Sequence, residues 1–164
     1  MSSPAVSESV PARFPGRLWA WLPTLVWLCV LAFFSTDTFS SEHTGSVLLK
    51  VLHALFGKIS AHSFQQIHFL IRKGAHFGSY GLLGALAFFS WRATFPARPR
   101  WTFRWSFLAV LLVLAAASLD EFHQSFVSSR TASVRDVALD VAGALFFQAI
   151  IAIWMGWRES RPAQ

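Results

Sequence analysis

Apolar residues fall into four long runs along the chain. The first, Leu18–Phe34, carries Pro23 near its start and ends at Ser35-Thr36-Asp37-Thr38. The second covers Gly74–Trp91. No helix breaker separates Phe64 from Arg72, so its helix extends back toward Ser63. The third is Trp105–Leu119, closed by Asp120-Glu121, and the fourth is Val137–Trp157. Such runs approach the ~20 apolar residues that cross a bilayer as a helix. Ser133-x-x-Asp136 has capping-box spacing, which starts the last helix at Ser133 by satisfying its first free amides. Residues 47–59 follow a different pattern. Val47, Val51, Leu55 and Ile59 are spaced i, i+4, as are Leu48, Leu52 and Phe56, while Lys50, His53 and Lys58 take the other side. This predicts an amphipathic helix, too short and polar to span, that lies on the membrane surface or packs on the other helices. The expected fold is all-α: an integral membrane four-helix bundle with a short interfacial helix between spans one and two. Residues 1–17 read as a disordered cytoplasmic tail, 18–157 as the transmembrane domain and 158–164 as a second cytoplasmic tail.

Composition supports a membrane chain. Of 164 residues, 54% are hydrophobic and 13% charged, with a mean hydropathy of +0.47. Soluble domains carry about 25% charged residues. The 17 Phe and 8 Trp exclude a disordered chain. The single cysteine, Cys29, excludes an internal disulfide and reads as a small buried hydrophobe. The first run has no small-x-small exit, so it reads as a retained anchor.

The net charge of +6 resolves once the loops are assigned sides. Arg13, Arg17, Arg92, Arg98, Arg100, Arg104, Arg158 and Arg161 fall on one side, with Glu8 and Glu159. Lys50, Lys58, Arg72, Lys73, Arg130 and Arg135 fall on the other, with Asp37, Glu42, Asp120, Glu121, Asp136 and Asp140. The first side carries the whole excess, and the second sums to zero. Basic loops stay inside, so both termini are expected in the cytoplasm. The cluster Arg98-x-Arg100-x-x-x-Arg104 with Trp101 and Trp105 then reads as an anchor at the inner leaflet, and no nucleic-acid partner is expected.

Candidate chemistry gathers at the outer ends of the spans. Arg72, His76 and Tyr80 share a helix face, as do Asp120 and Gln124. Asp136, Asp140 and Gly143 share a third, with Arg130 upstream. A charge inside the bilayer costs roughly 2.5–3.5 kcal/mol unless paired or wetted, so these groups should turn inward around a hydrated pocket. Gly74-x-x-x-Gly78 and Ala138-x-x-x-Ala142 offer small faces for close helix approach.

The string Arg72-Lys73-x-x-His76-Phe77-x-x-Tyr80, followed by Asp120-Glu121-x-x-Gln124-x-Phe126-x-x-x-Arg130-x-x-x-x-x-Asp136-x-x-x-Asp140-x-x-Gly143, resembles the VanZ-like membrane protein family over residues 33–147. The turn before Arg130, often Pro-Gly in relatives, is Ser128-Ser129 here, and the position of Asp140 is often Asn. The resemblance implies a small multi-span protein whose founding members are tied to low-level teicoplanin resistance. It marks Arg72, Lys73, His76, Tyr80, Asp120, Glu121, Gln124, Arg130, Asp136 and Asp140 as the ligand-binding positions.

Several roles stay open for these groups. Arg72, Lys73 and Arg130 either hold an anionic headgroup, such as the phosphate of a lipid-linked cell-wall precursor, or pair with the neighbouring acids. Asp120 and Glu121 are adjacent on a helix and diverge by about 100°, so they cannot share one proton. Either could serve as general base beside His76 in an enzyme acting on a phosphorylated lipid. A hydrogen bond from His76 to Tyr80 or Asp120 is the structural alternative. No His-Glu-x-x-His pattern supports a metal at His76, His123 and Glu121, and no cofactor is expected. Nothing in the spacing of His43, His53, His62 and His68 requires a pH sensor. A transporter would need a homo-oligomer, because four spans leave little room for alternating access. Membrane lipids are the expected partners.

Overall fold

A computed structural model describes residues 15–36, 41–95, 101–126 and 133–160. Helices account for their regular structure, with no strand among the described residues. A short helix α1 (Pro15–Leu18) and a 3₁₀ turn (Trp19–Trp21) lead into α2 (Leu22–Phe34). These are followed by α3 (Ser41–Phe56), α4 (Ala61–Thr94), α5 (Phe103–Gln124) and α6 (Val134–Glu159). The helical path thus begins at Pro15, inside the stretch expected to be tail, where proline fits because a first-turn amide has no acceptor. Residues 1–14 and 161–164 of the expected tails lie outside the described residues, as does the turn at Ser128–Arg130.

Helices α4, α5 and α6 pack on one another, most extensively α4 on α6. Each turns a sequence-regular edge inward. On α5 the buried residues Trp105, Ala109, Val113, Ala117 and Glu121 recur every fourth position. Alanine and valine keep that edge thin, so the helix axes can approach. Fully buried Phe88 of α4 fills the space between Ala109 and the α6 residues Ile151 and Met155.

The closest approach of backbones is not at the expected small faces. An added Cβ at Gly74 or Gly78 would meet nothing within 4 Å, and Ala138 and Ala142 are exposed. The contact lies one turn deeper. Gly143 sits against the Phe77 backbone, Gly81 against Phe147, and Gly84 against Ala144. The Gln148 amide then donates to the Gly84 carbonyl at 2.9 Å.

The N-terminal half of α2 is latched to α4 by polar groups. Thr24, fully buried, shares a 2.8 Å hydrogen bond with Ser90. The Trp21 indole donates to Thr94 Oγ1, and the Trp27 indole to the Ser79 carbonyl, both at 2.9 Å. The single Ser90 hydroxyl proton has the Ala20 carbonyl at 2.7 Å and the Leu86 carbonyl at 2.9 Å as acceptors. At the same end Trp91 takes Trp21 edge-on and stacks on Trp105, while Arg104 lies over the Trp105 ring. Cys29 is exposed, contrary to its expected burial, because α2 turns that flank away from α4.

Two helices, α5 and α6, are long and apolar enough to cross a membrane. Only 33% and 28% of their apolar windows are buried within the protein. The core helix of a soluble domain would be covered on most sides, so these faces suit lipid. Helix α4 does not meet that standard. Its inward face carries glycine, serine, His76 and Tyr80, and neighbours cover it.

At 34 residues α4 spans roughly 51 Å, well beyond a ~30 Å hydrocarbon core. Its N-terminal extension is capped by Ser60, whose hydroxyl accepts from the Ser63 amide at 3.1 Å. The amphipathic helix α3 packs on α4. It begins at Ser41, earlier than its periodicity predicts, and stops before Gly57, whose φ of +75° breaks it. Leu52 is buried and Leu48 partly so, while Val47, Val51 and Leu55 face outward.

Candidate functional site

Two cavities flank the C-terminal half of α2. The first, about 420 Å³, lies among α2, α3, α4 and α5. One wall is apolar, formed by Trp27, Val30, Leu31 and Phe34 of α2 with Leu48 and Ile71. The lining also carries Arg72, His76, Tyr80 and Asp120. The second cavity, about 650 Å³, lies between α2 and α5 and is lined by Leu28, Ala32, Leu112 and Ala116, with Cys29 and His123. Tyr80 and Asp120 line both, as do Leu31 and Ser35.

Helical spacing places Arg72, His76 and Tyr80 on one face of α4, and all three line the first cavity. His76 stacks on Tyr80 with ring planes 15° apart. Its Nδ1 stands 3.3 Å from Asp140 Oδ1 of α6, an ion-pair distance without the alignment of a hydrogen bond. Its partner is therefore Asp140, not Asp120, because α6 approaches more closely at Gly143 than α5 does at this level. Asp140 is 1% exposed. Burying a carboxylate is costly unless it is paired, which fixes the imidazole against it. Asp120 instead accepts from Gln124 at 2.9 Å, the expected same-face pair, and faces the Tyr80 hydroxyl.

The adjacent basic residues Arg72 and Lys73 have different fates. Lys73 pairs with Asp136 of α6 and lies over the Phe69 ring. Arg72, 100° around the helix, lines the first cavity and has no ion-pair partner among the described residues. Among the described residues, pairing with an acid is therefore made by Lys73 and not by Arg72. Arg130 lies outside the described residues.

The Asp120–Glu121 divergence is realised. Glu121 lines neither cavity. Its Oε2 accepts from the Ser133 backbone amide at 2.6 Å, and its Oε1 is buried without a partner. This revises the expected capping box. Ser133 does cap α6, its hydroxyl accepting from the Arg135 amide at 3.2 Å. The reciprocal acceptor for its own amide is Glu121 of α5, because Asp136 is taken up by Lys73. Among the described residues no three His, Cys, Asp or Glu side chains group as metal ligands.

Two residues lining the first cavity that the sequence did not mark as site positions, Ser35 and His68, each carry a buried polar atom. Ser35 is 6% exposed and its hydroxyl has no hydrogen-bond partner. His68, stacked on Phe64, has a buried Nε2 with none. A buried unsatisfied group costs about 1–3 kcal/mol, so two beside one cavity call for a physical reason. Ser35 was legible only as the polar residue ending the first apolar run. His68 was weighed only as one of four histidines whose spacing requires no pH sensor.

The fold and site define a helical protein with two membrane-length helices and a cavity lined by both a cation and apolar side chains. Two helices of that length and apolarity point to a membrane protein. A family model described as VanZ/LLP1 matches residues 20–155. The match covers most of the chain, which therefore belongs to the VanZ/LLP1 family. Comparison with curated proteins and with solved structures gave no match.

Proposed function

We propose that the chain is a four-span protein of the bacterial inner membrane with both termini in the cytoplasm. Its first cavity engages an anionic lipid-linked or envelope component, and this engagement alters susceptibility to teicoplanin-type glycopeptides. Four crossings are supported by length. The helical path Pro15–Phe34 covers roughly 30 Å at 1.5 Å per residue. The 74–91 stretch of α4 lies inside a longer helix flanked by α5 and α6. The glycopeptide part rests on family membership.

The observation that carries the ligand class is Arg72. Its neighbour Lys73 is neutralised within the chain, whereas Arg72 lines a cavity whose lining also includes Trp27, Val30, Leu31 and Phe34. A planar, permanently charged fork suits phosphate or carboxylate. Co-purified lipids should therefore include an anionic species that Arg72→Ala loses and Arg72→Lys partly keeps. An unchanged lipid profile in Arg72→Ala would sink the reading. In the host, deleting the gene should change lipoglycopeptide susceptibility. For topology, a periplasmic reporter fused after Ser129 should be active and one after Pro99 silent.

One observation favours a second reading, a membrane enzyme acting on a phosphorylated lipid. The His76 ring lines the cavity while its Nδ1 faces buried Asp140. This leaves Nε2 as the atom able to take a proton from an attacking water, with Asp140 orienting the ring. His76→Gln would then abolish turnover while lipid still co-purifies. Loss of the lipid as well would return His76 to a binding role.

A further inference from the structure

The ligand's class can be narrowed by how α2 stands between the two cavities. Around the helix, Trp27, Val30 and Phe34 project on one flank and face the first cavity. Leu28, Ala32 and Thr36 project on the other and face the second. Leu31 and Ser35 lie on the edge between, and both belong to each cavity. The outer half of α2 is therefore a wedge with an apolar slot on either side. Behind its edge both slots reach the same polar pair, Tyr80 and Asp120. Arg72 opens onto the first slot alone. Ser35, whose buried hydroxyl has no hydrogen-bond partner, lines both slots at their shared border.

We propose that the occupant is an anionic lipid with two hydrocarbon chains, one in each slot astride α2, whose branch point and headgroup sit between Ser35 and Arg72. This rests on the reading of the cavity as an anionic-lipid site and deepens it. Three features select a branched amphiphile over a single-chain one. A single chain would fill one slot and leave the other empty. The slots converge, as the chains of a diacyl lipid converge on its glycerol. The unpartnered donor sits at the point of convergence, where such a lipid carries its ester and phosphate oxygens, and a donor left unmatched there is costly. The inner end of α2, held by Thr24, Trp21 and Trp27, stays closed. Entry is therefore from the outer half.

Native mass spectrometry of the full-length protein in detergent tests this, with phosphatidylglycerol and its single-chain lyso form as probes. The two share a headgroup and differ in chain number. Retention of the two-chain form should be about tenfold tighter, a difference of 1.4 kcal/mol. Ala32→Trp fills the second slot from an exposed helix position. It should bring the two probes to near-equal retention by weakening only the two-chain form. Ser35→Ala should weaken both. Equal retention by the wild-type protein, or a chain preference that survives Ala32→Trp, overturns the two-slot proposal and leaves the anionic-lipid reading standing. Retention of neither probe, or a protein dimer with no lipid, overturns both.

Discussion

Gly143→Ala is the sharpest probe of how the α4–α6 core is held. A Cβ at position 143 falls 2.1 Å from the Phe77 carbonyl oxygen and 2.9 Å from its carbon. Ordinary contact begins at 3.4 Å, so the two helices must part by roughly 1.3 Å to admit one methyl. The obstacle is backbone, so no rotamer change relieves it. Overpacking typically costs 1–3 kcal/mol, and a rigid obstacle sits at the upper end. Alanine returns about 1 kcal/mol of helix propensity. The net expectation is a loss of about 2 kcal/mol, with Asp140 displaced from His76 as α6 shifts. SDS titration of the detergent-solubilised protein, followed by tryptophan fluorescence, reads this directly. Gly74→Ala and Gly78→Ala are the matched controls. Their methyls meet nothing within 4 Å, so each should be neutral or slightly stabilising. A Gly143→Ala protein as stable as wild type, or a loss at Gly78 equal to that at Gly143, would refute the packing argument.

Further outcomes follow from the polar links. Ser90→Ala removes a hydroxyl that joins Thr24 to the Ala20 and Leu86 carbonyls. It should cost about 1 kcal/mol and raise hydrogen exchange in α2 before α5. Glu121→Ala frees the Ser133 amide, so exchange at residues 133–136 should rise while the α4–α5 contact holds. Lys73→Ala leaves Asp136 without its partner. In a double-mutant cycle with Asp136→Ala the pair should show a coupling of about 0.5–1 kcal/mol, its charges being only partly buried. A coupling near zero would mean that Lys73 is not held there.

Much of the fold could be read from periodicity. The apolar runs place α2, α5 and α6, and the i, i+4 rows of residues 47–59 place most of α3. The Arg72–His76–Tyr80 face and the Asp120–Gln124 pair were legible because helical spacing alone sets them. Partner choice was not. Which acid meets His76 depends on which neighbouring helix comes nearest, and that is decided by Gly143 and Ala144. The small-residue faces misled because Gly74 and Gly78 satisfy the spacing without facing a helix. The reciprocal cap of Ser133 came from Glu121, twelve residues upstream. Local pattern points to Asp136 because it cannot see that Lys73 already holds it. The wedge of α2 was invisible for a related reason. Every position on it is apolar or small, so only its placement separates the flank facing one slot from the flank facing the other.

The latch between α2 and α4 also bears on biogenesis. On the four-span reading, α2 leaves the ribosome before α4, yet Thr24 finds Ser90 66 residues later in the chain. In the interval the Thr24 hydroxyl and the Trp21 and Trp27 indoles lie on an isolated helix in lipid or translocon. They are satisfied only locally until α4 is inserted. Placement of α2 is then a late, post-insertion step, made when Ser79, Ser90 and Thr94 arrive together on one helix. The slots on either side of α2 come into being at that same step, so membrane lipid is already present on both flanks when they close.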